Sequence, residues 1–211
     1  MTPSVFLLPL AAYLIGSLSG SLLLGKLRGV DIRTQGSGNA GGTNAFRTQG
    51  AKFALGVLLI DIGKGMLAAW LAFAYAPPEW RDILPYVCAF AAVVGHIWPV
   101  WHGFRGGKGA ATAMGGIAML WPIALPGLFA LWFCSVILTG YVGFSTCLTA
   151  LGFVAAALYV GGDDPRVWFA VAIAALIVFT HRANLMRMRT GTESRFEKAM
   201  LLRRWARRRD V

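Results

Sequence analysis

The chain has 211 residues, of which 57% are hydrophobic and only 14% are charged, whereas a soluble domain carries roughly a quarter charged residues. Its formal net charge is +11, a value that would suggest nucleic-acid binding in a soluble chain. Here the basic residues lie between long apolar runs, as Lys and Arg do in the cytoplasmic loops of membrane proteins. The composition excludes an ordinary soluble domain and predicts an all-α polytopic membrane protein with no nucleic-acid partner.

Long apolar runs divide the chain in order. Runs that approach or exceed about 18 residues with few charges are typical of membrane spans. They lie at about 5–24, 53–75, 84–101, 110–160 and 167–180. The first run lacks a charged leader and a small-residue cleavage site, so we expect it to be retained as a span. Its Gly16 and Gly20 form a GxxxG pattern, which predicts a helix-packing face.

Charge bias orients the spans, because basic loops stay in the cytoplasm. The basic segments, expected inside, are 25–52, 102–109 and 181–211, and the mixed or acidic segments, expected outside, are 76–83 and 161–166. The run 110–160 must then cross an odd number of times. Pro122, Pro126 and the TGYVG sequence at 139–143 offer two breakpoints. We therefore expect seven transmembrane helices, with five as the alternative.

Either count places the N-terminus outside and the C-terminus in the cytoplasm. No second domain, internal repeat or low-complexity tract is evident. We expect residues 1–211 to form a single transmembrane domain with a short basic tail from about 182.

The first polar cluster is the Gly-rich segment 36–47. Glycines allow close backbone approach, so consecutive amides can surround an anion. Hydroxyl, amide and guanidinium groups add further donors. The candidate ligand residues are Ser37, Gly38, Asn39, Thr43, Asn44 and Arg47. A flexible polar loop is the alternative, but the density of donors favours contact with a ligand.

The second cluster follows the third span. Its candidates are His96, Arg105, Gly106, Gly107, Lys108 and Gly109. A Lys framed by glycines suits a phosphate, yet Lys108 is followed by Gly109 rather than Ser or Thr, so this is not a P-loop. Cytoplasmic topology alone could explain Arg105 and Lys108, and His96 could be a packing or capping residue.

The third cluster closes the last span. His181 and Asn184 lie about one helical turn apart and offer a titratable group and a neutral donor and acceptor. Termination of the helix by a polar pair is the alternative. Glu193 is a rare acid in a basic tail, and we expect it to pair with Arg or Lys.

One ionisable pair, Asp61 and Lys64, lies inside a predicted span. At i, i+3 the two side chains share a helix face and can neutralise each other, and such residues are costly in a membrane. We expect a supporting ion pair behind Arg47 or Lys108.

Taken together, the clusters gather Arg47 and Lys108 on the cytoplasmic side, with Arg105 and Arg182 as further candidates. We find no HxxxxD, HExxH or Ser-His-Asp pattern, and Cys88, Cys134 and Cys147 lack metal-ligand spacing. This pattern predicts a site that binds phosphate groups, with no metal and no cofactor.

These segments resemble a known family, the bacterial membrane glycerol-3-phosphate acyltransferases that use acyl phosphate as donor (the PlsY family). The matching sequences are SGNAGGTNAFR at 37–47, DIGKG at 61–65, GHIWPVWHGFRGGKGAAT at 95–112 and HRANLMRMRTGTE at 181–193. They cover nearly the whole chain in the same order. Gly42 and Ala183 are small departures.

The resemblance implies a seven-helix fold in the bacterial inner membrane, with the site facing the cytoplasm. It implies that Ser37 and Arg47 are essential and that the glycines around Lys108 shape the glycerol-phosphate site. It also implies that His181 and Asn184 complete that site. The implied reaction is the first step of phospholipid synthesis, with glycerol 3-phosphate, acyl phosphate and membrane lipid as partners of a monomeric enzyme.

An acyl phosphate is already activated, so direct attack by the 1-hydroxyl of glycerol 3-phosphate needs no covalent intermediate. Arg47, Lys108, Ser37 and loop amides would stabilise negative charge, and His181 or a substrate phosphate oxygen would accept the proton. A transporter of a phosphorylated solute and a lipid-binding scaffold are the alternatives. Without the resemblance, acyl-CoA or an acyl carrier protein fits as donor almost as well.

Overall fold

A computed structural model describes residues 3–161 and 165–196 of the chain. Every regular element in these ranges is helical, and the chain divides into two compact units, Met1–Pro122 and Ile123–Val211. Residues 162–164 of the mixed segment and the part of the basic tail after residue 196 lie outside the described residues.

The first unit contains six α-helices. They are α1 (Ser4–Gly16), α2 (Gly20–Leu27), α3 (Gly42–Gln49), α4 (Ala51–Tyr75), α5 (Leu84–Ile97) and α6 (Ala110–Leu120). Single 3₁₀ turns occur at Ile32–Thr34, Pro78–Trp80 and Val100–His102. The long helix α4 is central, because α1, α2, α3, α5 and α6 all pack against it.

The second unit contains α7 (Leu125–Thr139), α8 (Val142–Val160) and α9 (Pro165–Arg189). A 3₁₀ turn at Pro122–Ala124 precedes α7, and α8 packs against both α7 and α9. Gly140 ends α7 in a left-handed conformation (φ 75°) that glycine adopts without a steric penalty. Residues 110–160 therefore form three helices, which break at the two expected places.

Five helical segments of the described residues are long and apolar enough to cross a membrane: Ala51–Tyr75, Leu84–His102, Pro122–Thr139, Val142–Val160 and Pro165–Arg189. The bent pair α1 and α2 makes a sixth if it counts as one span. Helix α6 has 11 residues, about 16 Å at 1.5 Å per residue, which is short for a core of about 30 Å. The protein is thus an all-helical membrane protein, and the seventh crossing depends on α6.

The first span is broken rather than continuous. Helices α1 and α2 meet at 45°, and Ser19 is extended (ψ 118°) at the break. On one side of the break, Gly16 packs against the backbone of Ala92 on α5, and on the other Gly20 packs against Val57 on α4. Each glycine of the GxxxG pattern therefore packs on a different helix, which a straight helix would not allow.

Glycines also bring α4 and α6 into close contact. A Cβ on Gly65 would overlap the carbonyl of Thr112, and a Cβ on Gly115 would overlap the carbonyl of Ile62. Membrane helices pack through such small residues because lipid provides no hydrophobic force between them. This contact fixes where α6 begins, directly after the second polar cluster.

Candidate functional site

The Gly-rich segment 36–47 is held in shape by one side chain, Asn44. Its Oδ1 accepts from the amide of Ser37 at 2.9 Å, and its Nδ2 donates to the carbonyls of Ile32, Gln35 and Asn39 at 3.0–3.1 Å. Asn44 is only 2% exposed. Its carboxamide is occupied by the segment itself, so the direct ligand contact expected from the sequence gives way to a scaffolding contact.

The second half of this segment is a helix, not a loop. Helix α3 begins at Gly42, and Thr43 and Arg47 lie four residues apart on it, on the same face. Both side chains are exposed, as are Ser37 and Gly38, while Asn39 is half-buried. Within the described residues no hydrogen bond or ion pair occupies the Arg47 guanidinium. Arg47 is thus presented to solvent from a rigid element.

The second cluster is bonded to the end of α5. The amide of Gly106 donates to the carbonyl of Ile97 and that of Gly107 donates to the carbonyl of His96, each at 3.1 Å. These two amides are therefore occupied by the end of α5. Arg105 is exposed and Lys108 is half-buried, so the cluster offers side-chain charges.

Gly107 lies where the first and second clusters meet. A Cβ at this position would overlap the His96 imidazole and would come within 2.9 Å of the carbonyl oxygen of Ala40. Glycine is needed here because the two polypeptide segments approach too closely for a side chain. Gly109 has φ 89° where α6 begins, packed against Val93 and Ile97. The structure thus brings the segments 36–47 and 102–109 into contact.

Asp31 and Arg33, which the sequence analysis did not identify, connect the same two segments. Arg33 Nη1 donates to the carbonyls of His102 at 3.0 Å and Arg105 at 3.3 Å. Its Nη2 pairs with Asp31 at 2.8 Å. The hydrogen bonds from Arg33 lower the pKa of Asp31, and the same pair raises the pKa of Arg33. The i, i+2 spacing of the acid and base just before the Gly-rich segment was the available signal.

Asp61 and Lys64 form the expected ion pair inside α4, with Lys64 Nζ 2.9 Å from Asp61 Oδ1. Lys64 also contacts Nδ1 of His96 at 2.8 Å and donates to the carbonyl of Leu18 at 2.9 Å. Asp61 accepts from the amide of Gly20 at 3.1 Å. The pair therefore contacts α2 and α5.

In the second unit, His181 lies within α9 because the helix continues past the predicted end of the last span. The side chain is 6% exposed, and its Nδ1 is 2.8 Å from the carbonyl of Ile177. A carbonyl only accepts, so Nδ1 carries a proton and donates it, and this bond fixes the orientation of the ring.

Asn184 is fixed by Glu193. Its Nδ2 donates to Glu193 Oε1 at 2.6 Å, and Arg187 Nε donates to Glu193 Oε2 at 2.7 Å. Glu193 thus pairs with a basic residue, as expected. The Asn184 side chain lies against Gly143 at the start of α8. Arg182 packs on the ring of Phe179, 4.1 Å from its centroid, and donates to its own helix.

The predicted clusters are thus distributed between the two units. Segments 36–47 and 102–109 lie together in the first unit, with Ser37, Arg47 and Arg105 exposed and Lys108 half-buried. His181, Asn184 and Glu193 belong to the second unit. The first set offers positive charge and hydrogen-bond donors, which suit phosphate groups. The second offers an oriented imidazole and an oriented amide.

The chain was compared with known proteins. Residues 6–191 match the family model described as glycerol-3-phosphate acyltransferase. A glycerol-3-phosphate acyltransferase of Synechococcus sp. is 38% identical over 92% of this chain and 96% of the relative. One of Cronobacter sakazakii is 42% identical over 88% of this chain and 89% of the relative.

Two solved structures are similar to the whole fold. One is the crystal structure of PlsY, an integral membrane glycerol 3-phosphate acyltransferase, in its glycerol 3-phosphate form, with a TM-score of 0.86, 33% identity and coverage of 94% of this chain and 98% of that chain. The lysophosphatidic acid form has a TM-score of 0.84 at 31% identity, covering 94% and 99% of the two chains. The integral-membrane fold, the family model and the full-length relatives agree, and the chain belongs to the glycerol-3-phosphate acyltransferase family.

Proposed function

We propose that this enzyme transfers an acyl group from acyl phosphate to the 1-hydroxyl of glycerol 3-phosphate. The products are 1-acyl-glycerol 3-phosphate, a lysophosphatidic acid, and inorganic phosphate. Family membership supports the acyltransferase over a solute transporter, and the substrate and product named for the similar crystal structures support the acceptor. The donor is the part that rests on the PlsY resemblance alone.

The observation that carries the proposal is the contact between segments 36–47 and 102–109. It brings the segment that carries Ser37 and Arg47 against the segment that carries Arg105 and Lys108. Both proposed substrates carry phosphate groups. Arginine binds phosphate in a bidentate manner and lysine binds it as a point charge. Two phosphates thus explain why one site needs several cations.

The reaction needs few steps because the donor is a mixed anhydride. The oxygen of the 1-hydroxyl attacks the acyl carbonyl carbon and forms the ester bond. The bond between that carbon and the phosphate oxygen then breaks, and phosphate leaves with the electron pair. The donors of Ser37, Arg47 and Lys108 stabilise the negative charge that develops, a contribution often worth about 3–4 kcal/mol for one well-placed donor.

The hydroxyl proton must go to a base, and His181 is the candidate from the protein. Its Nδ1 donates to the Ile177 carbonyl, which fixes the ring, and Nε2 would accept the proton. Asn184, oriented by Glu193, would hold a substrate oxygen in the same reaction. The PlsY resemblance, rather than a contact between residues, assigns both to this chemistry. An oxygen of a substrate phosphate is the other candidate base.

We further propose that the bent pair α1–α2 and the short helix α6 both cross the membrane, which gives seven spans in one domain. The N-terminus is then outside and the basic segments 25–52 and 102–109 are cytoplasmic, where glycerol 3-phosphate is available. The positive-inside rule supports this orientation. The enzyme acts as a multi-pass monomer of a bacterial inner membrane, in contact with lipid and without a cofactor.

Reconstitution in sealed liposomes tests the function. With palmitoyl phosphate and labelled glycerol 3-phosphate we expect labelled 1-palmitoyl-glycerol 3-phosphate and one phosphate released for each product. A vesicle preparation that accumulates label inside without forming product would support the transporter instead. Protein heated until unfolded before reconstitution is the control for spontaneous acylation.

A further inference from the structure

The second polar cluster is supported from inside the helix bundle by three buried residues. Asp61, Lys64 and His96 are 1%, 5% and 2% exposed. Buried charges in a membrane protein are costly and are usually retained for a function. Charge balance alone would explain Asp61 and Lys64, but it does not explain why the ammonium is aimed at an imidazole.

The Lys64 ammonium has three N–H groups and three acceptors. They are Asp61 Oδ1 at 2.9 Å, the Leu18 carbonyl at 2.9 Å and His96 Nδ1 at 2.8 Å. Since the ammonium can only donate, Nδ1 accepts, and the ring of His96 is held in one orientation. The contacts join α2, α4 and α5 at one point.

The oriented ring has a direct consequence for the segment 102–109. The ring lies against Gly107 so closely that a Cβ there would overlap it. The carbonyls of His96 and Ile97 also accept from the amides of Gly107 and Gly106. One residue of α5 thus fixes the backbone that immediately precedes Lys108, by its ring and by its carbonyl.

We propose that Asp61, Lys64 and His96 act together as positioning residues that set the place of Lys108 for the phosphate of glycerol 3-phosphate. This inference rests on the proposed function. None of the three touches substrate: the ion pair orients the imidazole, the imidazole supports Gly107, and Gly107 determines where Lys108 leaves the turn. Loss of the contact weakens the binding of glycerol 3-phosphate and leaves the binding of the acyl donor unchanged. The donor is held through its own phosphate and through its acyl chain, which lies in lipid.

Two substitutions of His96 separate this role from simple packing. In His96→Asn, the side-chain oxygen occupies the position of Nδ1 and still accepts from Lys64. In His96→Leu, a methyl group of similar shape occupies that position and cannot accept. His96→Asn keeps the acceptor for Lys64 but loses the ring edge that lies against Gly107, so we expect it to bind glycerol 3-phosphate about threefold more weakly than wild type. The Leu variant should bind at least about tenfold more weakly, as loss of a hydrogen bond to a charged group predicts.

A double variant separates positioning from charge balance. Asp61→Asn with Lys64→Met removes both charges, so it avoids the unpaired buried charge that either single change leaves. We expect it to be more heat-stable than either single variant, yet still to show a KM for glycerol 3-phosphate raised about tenfold, with kcat and the KM for palmitoyl phosphate within about threefold. Lys52→Met removes an exposed lysine from the same helix and is the matched control.

Binding of glycerol 3-phosphate by calorimetry and steady-state kinetics are measured on the same nanodisc preparations. The inference is overturned if His96→Asn and His96→Leu bind alike, or if the double variant recovers the wild-type KM. Wild type that binds glycerol 3-phosphate without transferring palmitate would contradict the proposed function, while the binding comparison would still test the inference. Wild type that neither binds nor transfers would contradict both.

Discussion

Arg47 stands on the exposed face of α3, without an ion-pair partner among the described residues. Arginines in membrane proteins commonly keep a loop in the cytoplasm by their positive charge. An arginine with only this role tolerates replacement by lysine. An arginine that grips a phosphate with two N–H groups does not, since lysine lacks the planar fork. The rigid helix below Arg47, which Asn44 ties to the Gly-rich turn, favours the second role.

We therefore predict that Arg47→Ala lowers kcat/KM by at least about a hundredfold and that Arg47→Lys recovers less than about a tenth of wild-type activity. Palmitoyl transfer by reconstituted protein measures both. Lys52→Ala, another exposed cation nearby in sequence, should leave transfer unchanged. Full activity of Arg47→Lys would show that Arg47 serves only to orient the chain in the membrane and does not bind phosphate in a bidentate manner.

Asp31 and Arg33 support the same site, because Arg33 donates hydrogen bonds to the carbonyls of His102 and Arg105. The lowered pKa of Asp31 gives the direction of the pH effect. A carboxylate with a lowered pKa stabilises the fold above its unfolded pKa of about 4, and that stabilisation is lost as pH falls through the lower folded value. The pair is therefore fully ionised from pH 5 to 8.

Asp31→Asn should raise the KM for glycerol 3-phosphate about two- to fivefold, a modest effect because the pair is partly exposed. The increase should be the same at pH 6, 7 and 8. Kinetics of the variant and wild type at the three pH values test this. An effect that appears only at pH 6 would mean that Asp31 titrates in the working range.

Among the elements, α4 and α6 show how glycine determines the position of the site. Gly65 packs against the Thr112 carbonyl, whereas nothing lies within 4 Å of a Cβ placed on Gly63, two residues earlier on the same helix. The contact of Gly65 sets the position at which α6 starts, just after Lys108 and Gly109. Gly63 faces open space.

Gly65→Ala should destabilise the protein by about 1–3 kcal/mol, as overpacking does. Gly63→Ala should be neutral or up to about 1 kcal/mol stabilising, because alanine favours a helix. Unfolding in detergent, followed by circular dichroism, compares the pair directly. Equal stability of the two variants would show that the close approach of α4 and α6 is not required.

For the whole molecule, the crossing of α6 decides between seven spans and six. Ile123, just before α7, is 80% exposed. With the native cysteines replaced, Ile123→Cys should react with an impermeant maleimide in intact cells if α6 crosses. Arg81→Cys, which the proposed topology places outside, is the positive control, and Lys52→Cys, which it places in the cytoplasm, is the negative control. Absence of labelling at Ile123→Cys alone would contradict the crossing of α6 and leave six spans.

The fold was largely predictable, because membrane spans are long apolar runs and the breaks at Pro122 and Gly140 are visible in the sequence. The bend at Ser19 was not, since it depends on Gly16 and Gly20 packing against two different helices. Helix α3 was interpreted as a loop because its residues are polar and its stability comes from Asn44.

The candidate site was predictable in composition but not in contacts. Ser37, Arg47 and Lys108 are recognisable from their residue types and glycine-rich surroundings. The contacts of Lys64 with His96 and of Arg33 with the 102–105 turn join residues far apart in the chain, and no local spacing reveals them. The occupied amides of Gly106 and Gly107 could be found only from the backbone geometry.

The measurement that tests the central claim most directly is a comparison of acyl donors. Purified protein in lipid, with no added metal, would receive labelled glycerol 3-phosphate and either palmitoyl phosphate, palmitoyl-CoA or palmitoyl acyl carrier protein. We predict 1-palmitoyl-glycerol 3-phosphate with palmitoyl phosphate alone. Product with either thioester and none with palmitoyl phosphate would keep the acyltransferase and contradict the donor, and with it the proposed direct attack on an acyl phosphate.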